Sequence, residues 1–360
     1  MVNSGFRQYL YWGNEAAYGS AATINKDIGL VQSVNPTETN NLIKVRTLGG
    51  SRDYSNIVPG RFEVNGSFEF YVQNAAIFRQ AFGEDTASTA TVDSGPKYYH
   101  GTANYLHVLG SAASPGMNDF PSFSLEFTNY EDDSGTYNLK RLYTGCRINT
   151  LSLTASVDEP LRATVDFIAQ GVTAGTGAPA SVTESTEDPF VFYQGAIFAT
   201  SGTVTGETSL TSDDMIAEVN SLDFSIDNNL EPVWYVSGTT NAHQTLRTLK
   251  ELVVKGRDYD TSLNLHFKNK KMYERFLGTA GATKSQDVLS KYQVVIDLVK
   301  SGSIGGTTAA TDKWMRLVLQ NCAFDSANIT GAPEDIVSQM IDVAVEKGKF
   351  YVVDDIPSYK

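Results

Sequence analysis

Along most of the chain, apolar and polar residues alternate one by one, the period of a strand with one buried face. The clearest run, 62–72, sets Val64, Gly66, Phe68, Phe70 and Val72 on one side and Glu63, Asn65, Ser67, Glu69 and Tyr71 on the other. That is the pattern of an antiparallel strand wet on one face. Similar alternation predicts strands over 122–127, 148–155, 161–168, 219–226, 258–267, 293–298, 314–319 and 339–345. Helical spacing is rare. Ile77, Phe78, Ala81 and Phe82 share one helical face in 74–82, as do Met272, Tyr273, Phe276 and Leu277 in 269–277. Gly83 and Gly278 then end each helix. Segment 245–254 is a weaker helical candidate. The chain therefore reads as all-β with minor α.

The two helical signals sit in matching surroundings. Ser67, Asn74 and Gly83 correspond to Ser262, Asn269 and Gly278, because 262−67, 269−74 and 278−83 all give 195. Val64, Phe68, Phe70 and Val72 then fall against Tyr259, Leu263, Leu265 and Phe267. Upstream, 31–42 lies on 219–230 and both end in Asn-Asn-Leu, each followed by a long polar connection to a Gly-Arg pair, Gly60-Arg61 or Gly256-Arg257. Downstream, Cys146 and Asp166 match Cys322 and Asp342 at an offset of 176 (322−146 and 342−166). Alternation is common to all strands, but it does not place Ser, Asn and Gly at one offset beside a matched helix. The expectation is an arm at 1–27, a first domain at 28–171, a linker at 172–189 rich in Thr, Ala, Gly, Ser and Glu, and a second domain at 190–360. Equivalent positions in two adjacent domains lie too far apart for a disulfide, so Cys146 and Cys322 are expected as buried free thiols.

A net charge of −13 argues against an electrostatic nucleic-acid binder. It suits a soluble protein, or a surface that DNA must pass without sticking. Apolar runs such as 293–299 are far shorter than the roughly 18 residues of a membrane span, and the opening residues carry no signal-peptide pattern. His100, His107, His243 and His266 form no metal-ligand spacing, and no GxSxG, Walker or dinucleotide-binding motif occurs. No carboxylate pair stands out as an acid–base couple, and the acidic run 131–133 lacks the alternation of a calcium loop. No catalytic residue, metal site or cofactor is expected, and the protein reads as structural, not an enzyme.

Three segments resemble a known family. Asn14-Glu-Ala-Ala-Tyr-Gly-Ser-Ala-Ala is similar to the E-x-x-Y-G-T opening of viral tail tube proteins. Gly60-Arg-Phe-Glu-Val-Asn-Gly-Ser-Phe-Glu-Phe resembles their G-x-x-x-V-x-G-S strand. Ile226-Asp-Asn-Asn-Leu-Glu-Pro-Val-Trp-Tyr, with Gly256-Arg-Asp-Tyr-Asp-Thr-Ser-Leu, resembles the start of a second tube domain, in which Thr261 replaces the glycine found at Gly66. The resemblance spans most of the chain and points to the major tail tube protein of a long-tailed phage or archaeal virus.

The resemblance implies two tandem β-sandwich or partial-barrel domains, each with a short flanking helix and a long inter-strand loop. It also implies trimeric rings of pseudo-sixfold symmetry that stack head-to-tail into a tube conducting viral DNA. Either the faces with Glu63, Asn65, Glu69, Asp258 and Asp260, or those with Asp166 and Asp342, would line the lumen. Loops with Arg46, Arg52, Tyr54, Trp234, Tyr235 and Arg247 would meet the next ring. Tyr9, Tyr11, Trp12 and Tyr18 of the arm would pack on a neighbour or on their own sandwich. Implied partners are further copies of the chain, the tail tip or initiator, the tail terminator and a tape measure in the lumen. Assembly would occur in host cytoplasm and the product would be the virion tail. Rival readings are a tail terminator or capsid decoration protein, a carbohydrate-binding or adhesion module, and a hydrolase on a β scaffold.

Overall fold

The computed structural model describes residues 8–48, 52–83, 85, 105–110, 120–130, 137–205, 210, 216, 219–235, 247–300, 313–332 and 336–359. In chain order the strands are β1 (Gln8–Asn14), β2 (Lys26–Asp27), β3 (Leu30–Thr39), β4 (Ile43–Val45), β5 (Asn56–Val58), β6 (Glu63–Tyr71), β7 (Tyr105–Leu109), β8 (Phe123–Tyr130), β9 (Tyr137–Ser156) and β10 (Arg162–Ala169). They continue as β11 (Gly171–Gly175), β12 (Gly195–Thr200), β13 (Val219–Asp227), β14 (Leu230–Val233), β15 (Glu251–Val254), β16 (Asp258–His266), β17 (Tyr292–Val299), β18 (Trp314–Thr330), β19 (Ser338–Ala344) and β20 (Lys347–Asp354). Two short helices, α1 (Arg79–Phe82) and α2 (Lys271–Phe276), complete the fold.

Two strands are too long for one sheet. β9 has 20 residues and β18 has 17, and each crosses from one layer of a sandwich to the other. The first half of β9 pairs with β8 and β11, with β1 beyond β8. Its second half pairs with β10, then β6, then β3. The first half of β18 likewise pairs with β17 and β20, with β12 beyond β17. Its second half pairs with β19, then β16, then β13. β13 in turn pairs with the second half of β9, so one layer runs unbroken in the order β3-β6-β10-β9-β13-β16-β19-β18. The sheet stays open; among the described residues no barrel closes within the chain. Its apolar side, including Val64, Phe68, Phe70, Leu151, Leu153, Phe224, Ile226, Leu263 and Ile341, forms the main core, as alternating patterning requires.

The backbone irregularities recur at the offsets seen in the sequence. The bend in β9 falls at Gly145 (φ 64°) and that in β18 at Asn321 (φ 55°), 176 residues on. Register slips put Asn149 and Asp325 out of pairing, again 176 apart, and Gln32 and Asn220, 188 apart. Asn41 (φ 43°) and Asn229 (φ 48°) take left-handed turns at that same offset of 188. Bulges and left-handed residues re-aim a strand and tolerate few substitutes. Gly66 has a packing reason: a Cβ there would lie 2.8 Å from Pro36 Cα and 2.9 Å from the Asn35 carbonyl. At Thr261 the side chain fits, though its buried Oγ1 finds no partner.

Four segments differ from the sequence expectation or refine it. Segment 74–82 is a 3-10 turn, Ala76–Phe78, running into α1, and Gly83 ends it at φ 93°. The described part of 245–254 holds no helix and ends in strand β15. Its Glu251–Val254 pair with Leu230–Val233, and Leu249 and Leu252 bury against Phe120. The first residues of the expected linker form β11 on β9. The rest is pinned: the Ala180 N–H donates to Glu126 (2.7 Å), Gln73 reaches the Ser185 and Glu187 carbonyls, and Glu187 pairs with Lys300 (3.0 Å) and Lys313 (2.7 Å). The described part of the arm includes β1, paired with β8 and with β2, with Trp12 fully buried and its Nε1 donating to the Asp27 carbonyl.

Charged groups buried between layers are all answered by partners. In the second half, Arg316 and Asp297 form a bidentate pair (2.6 and 2.7 Å) with neither exposed, and Arg316 also donates to the Thr205 carbonyl. Near the C-terminus, His107 stacks on Tyr359 (3.7 Å, 5°), lies 3.3 Å from Asp85 and 2.8 Å from the Ile356 carbonyl, and the Tyr359 hydroxyl donates to Asp354 (2.5 Å). The Tyr359 carbonyl accepts from Asn14 and Lys26, so the two ends of the described chain are tied together. Burial would lower the His107 pKa, but Asp85, the charge of Asp354 and the Ile356 carbonyl outweigh it and hold the imidazole above its ordinary value.

Removing one partner from a buried ion pair strands the other. Asp297→Ala is expected to lower the unfolding free energy by about 3–5 kcal/mol; a loss in urea melts below about 1 kcal/mol, the scale of a surface pair, would refute it. A raised folded-state pKa for His107 means its contribution is complete below the unfolded value, about 6.5, and is lost as pH rises through the folded value. His107→Gln should therefore cost most in Tm at mildly acidic pH, with the gap to the parent narrowing as pH rises through the folded-state value. A gap independent of pH would contradict this.

Candidate assembly surface

Residues directly opposite on paired strands share a face, so register alone traces the other side of the continuous sheet. Asn35, Ser67, Asp166, Thr150, Asp227 and Asp258 form one row across six strands. Ser33, Glu69, Thr164, Ser152, Ser225 and Asp260 form the next. Arg162, Thr154, Asp223, Ser262, Asp342 and Ser326 form a third. Every position named is polar, although Ala344 and Ala323 continue the second row and Tyr71 and Leu30 the third, and the carboxylates come from both halves of the chain. The middle of the face is hollowed into an open groove of about 450 Å³ lined by Asp223, Asp260, Asp325 and Asp342 with Ser152 and Ser262.

Of the arginines on this face, Arg162 lies 3.7 Å from Glu69 and 3.6 Å from Glu159, and Arg147, in the row of Asn65 and Ile168, is buried and donates to the Leu252 carbonyl. Asp227 and Asp258 stand directly opposite each other, and the other carboxylates within these rows are spaced by Ser and Thr. The Ser326 hydroxyl donates to Asp342 (2.5 Å) and Asn229 donates to Asp258 (2.7 Å). The Asp166 carboxyl is raised above the usual carboxylate range, first by burial and then by the charge of Asp227 across the junction of the halves. Such a face repels phosphate. Among the described residues no three metal-ligating side chains gather.

The seven lumen candidates fall on this single face: Glu63, Asn65 and Glu69 on β6, Asp166 on β10, Asp258 and Asp260 on β16, and Asp342 on β19. The two sets held as alternatives in the sequence prove to be neighbours. The loop candidates lie together at one end. Arg46 covers the Tyr54 ring (4.5 Å) at the exposed β4–β5 hairpin, beside exposed Arg52. Arg247 binds the Gly60 carbonyl and Asn40 (2.7 Å each), and Trp234 lies under Arg61 (4.7 Å) next to half-exposed Tyr235. Of the arm aromatics, Tyr11 donates to Glu184 (2.6 Å), Tyr9 leans on Tyr11 (6.1 Å), and Tyr18 lies under the Arg147 guanidinium (4.7 Å). All of these contacts are within the chain.

Sequence reasoning did not assign a role to Glu15, although it lies in the quoted Asn14–Ala22 motif. Its carboxylate accepts from Gly19 N–H (2.9 Å), Ser122 (2.7 Å), Ser124 (2.8 Å) and the Gly145 N–H at the bend of β9 (2.7 Å). Gly19, at φ 77°, has its Cβ position occupied by the Gln170 side chain. The motif is thus a structural knot joining β1 to the layer-crossing strand.

Asp227→Asn should lower the Asp166 pKa partway towards the ordinary value and leave the part due to burial. NMR titration of the Asp166 carboxyl checks this; an unchanged value would exclude the coupling across the junction.

A family model described as "Phage tail tube protein" matches residues 5–345. A search of curated proteins returns no match to the chain.

Proposed function

This chain belongs to the phage tail tube protein family, and from that premise we propose that it forms the tube as stacked rings whose acidic inner wall conducts viral DNA. As a member it is a structural protein of the virion tail that assembles with itself and meets other tail proteins. The observation that carries the finer reading is the largely polar face, rich in carboxylates and poor in cations, on a sheet open at both ends. We read the two halves, 28–171 and 190–360, as diverged copies of one tube domain joined by 172–189, supported by the recurrent strand order and irregularities. Three chains then make a ring of pseudo-sixfold symmetry.

Magnitudes agree with this. Eight strands per chain, tripled, at about 4.8 Å per strand and a tilt near 40°, give a backbone circle roughly 50 Å across. That is wider than a DNA duplex, and closing the circle removes exposed strand edges. The face with Glu63, Asn65, Glu69, Asp166, Asp258, Asp260 and Asp342 lines the lumen. The loops with Arg46, Arg52, Tyr54, Trp234, Tyr235 and Arg247 contact the adjacent ring. Initiator, terminator and tape measure proteins are the other tail partners, and assembly takes place in host cytoplasm.

Negative-stain electron microscopy over a concentration series, with and without a tail-tip complex, tests the reading. Rings or hollow tubes of threefold or pseudo-sixfold symmetry are expected; a compact monomer that persists on the tip complex overturns it. Tubes carrying Asp223→Lys and Asp260→Lys should retain duplex DNA at about 50 mM salt and release it by about 200 mM, whereas parent tubes retain none at either. Equal behaviour would remove the lumen from this face.

A further inference from the structure

Within the continuous layer the chain contains one complete junction between its halves, while in the other layer β7 pairs with β20. The junction has three parts. The second half of β9 pairs with β13, with Thr150 opposite Asp227 and Ser152 opposite Ser225. Asn228 and Arg257 clamp the C-terminal end of α1: Arg257 donates to the Ala81 carbonyl (3.3 Å) and the Phe82 carbonyl (3.1 Å), and Asn228 to Ala81 (3.2 Å). The β14–β15 hairpin lies over the first half, where Arg147 donates to the Leu252 carbonyl (2.7 Å).

The counterparts of these parts at the two ends of the sheet are unmatched within the chain. The second half of β18 has β19 on one side and, among the described residues, no strand on the other. β3 pairs only with β6. Ile329 corresponds to Leu153 (153+176) but is 44% exposed against 5%. On α2, Tyr273, Phe276 and Leu277 are exposed or half-exposed, while Phe78, Ala81 and Phe82 on the α1 side are buried. The β4–β5 hairpin is exposed along its whole length, whereas Leu230 and Leu252 of β14–β15 are buried. Arg61, the counterpart of Arg257, is 57% exposed and rests on Glu63 (2.5 Å).

We infer that the open edge of β18 on one chain takes β3 of a second copy in the register of the β9–β13 junction, latched by that copy's Asn40 and Arg61 on the C-terminal carbonyls of α2. Transposing the internal pairs (150+176 and 227−188; 152+176 and 225−188) sets Ser326 opposite Thr39 and Asn328 opposite Thr37. Asn40 and Arg61 then reach the Phe276 carbonyl, and the Leu277 carbonyl, which already accepts from Gln286 N–H and keeps a second lone pair. Arg61 exchanges Glu63 for these carbonyls. Pro36 withholds one backbone donor from β3, which weakens this edge against indiscriminate pairing and leaves the latch to supply specificity. The contact is heterologous, so repetition closes a ring when the rotation permits. The inference deepens the ring reading and rests on it.

The test is oxidative cross-linking of the full chain carrying Thr37→Cys and Asn328→Cys, under conditions where microscopy shows rings or tubes. Directly opposed strand positions lie within disulfide range; both sites are on the surface and the native thiols are buried. Expected are covalent dimers and trimers from the double variant, none from either single variant, and none from Thr37→Cys with Ile329→Cys, which faces the other side. Arg61→Ala should raise the concentration needed for assembly at least tenfold, also when measured well below a monomer Tm that loss of the Trp234 and Glu63 contacts lowers slightly, and Arg61→Lys should fall between. Rings that form without this cross-link, or an Arg61→Ala chain assembling like the parent, would overturn the register while leaving the tube reading intact. If neither rings nor cross-links appear under any condition, both readings fall.

Discussion

Backbone hydrogen bonds between β9 and β13 merge the polar faces of two half-chains into one sheet, and much of the remaining structure serves that junction. An unpaired strand edge exposes a row of donors and acceptors that water or another strand must satisfy. At β9 and β13 the chain satisfies them itself. Around the pairing, Phe82 stacks on Phe224 (6.3 Å, 9°) and Arg257 and Asn228 cap the end of α1. Buried strands, a capped helix end and a covered hairpin arise together, because each depends on the halves meeting in one register.

That junction also brings like charges together. Asp166 and Asp227 approach from opposite halves, and burial with mutual repulsion raises the Asp166 carboxyl. The face tolerates its carboxylates because Ser and Thr separate most of them along the rows and because it stays open to water, where screening is strong. Elsewhere charges are buried only with partners in hand, as in the Arg316–Asp297 pair and in Glu15, which four donors hold against the bend of β9.

Much of the fold was legible because period-two alternation directly reports a half-buried strand. The run 62–72 and its counterpart 258–267 appear as β6 and β16, with Val64, Phe68, Phe70, Leu263 and Leu265 inward as expected and Phe267, beyond the end of β16, exposed. Gly83 and Gly278 end their helical segments with positive φ, as anticipated. Misreadings fell where tertiary contacts overrode local pattern. Leu249 and Leu252 mimic a helical stripe, yet bury against Phe120 from a hairpin. The arm and linker lack long alternation, and their strands, β1 and β11, exist because β8 and β9 offer edges to pair with.

By itself the sequence determined the β character of the chain, the spacing of its recurring features, its acidic balance and its two lone thiols, since each follows from residue type and local period. It could not determine which polar faces lie together, because alternation is blind to which strand sits beside which. Only the tertiary structure placed Glu69, Asp166, Asp260 and Asp342 on one surface. Strand order also decided what no local pattern encodes: β9 finds its partner inside the chain, whereas the outer edges of β3 and β18 do not. The physical reason is that an edge is satisfied or open according to long-range pairing, a property of how the halves meet rather than of any segment.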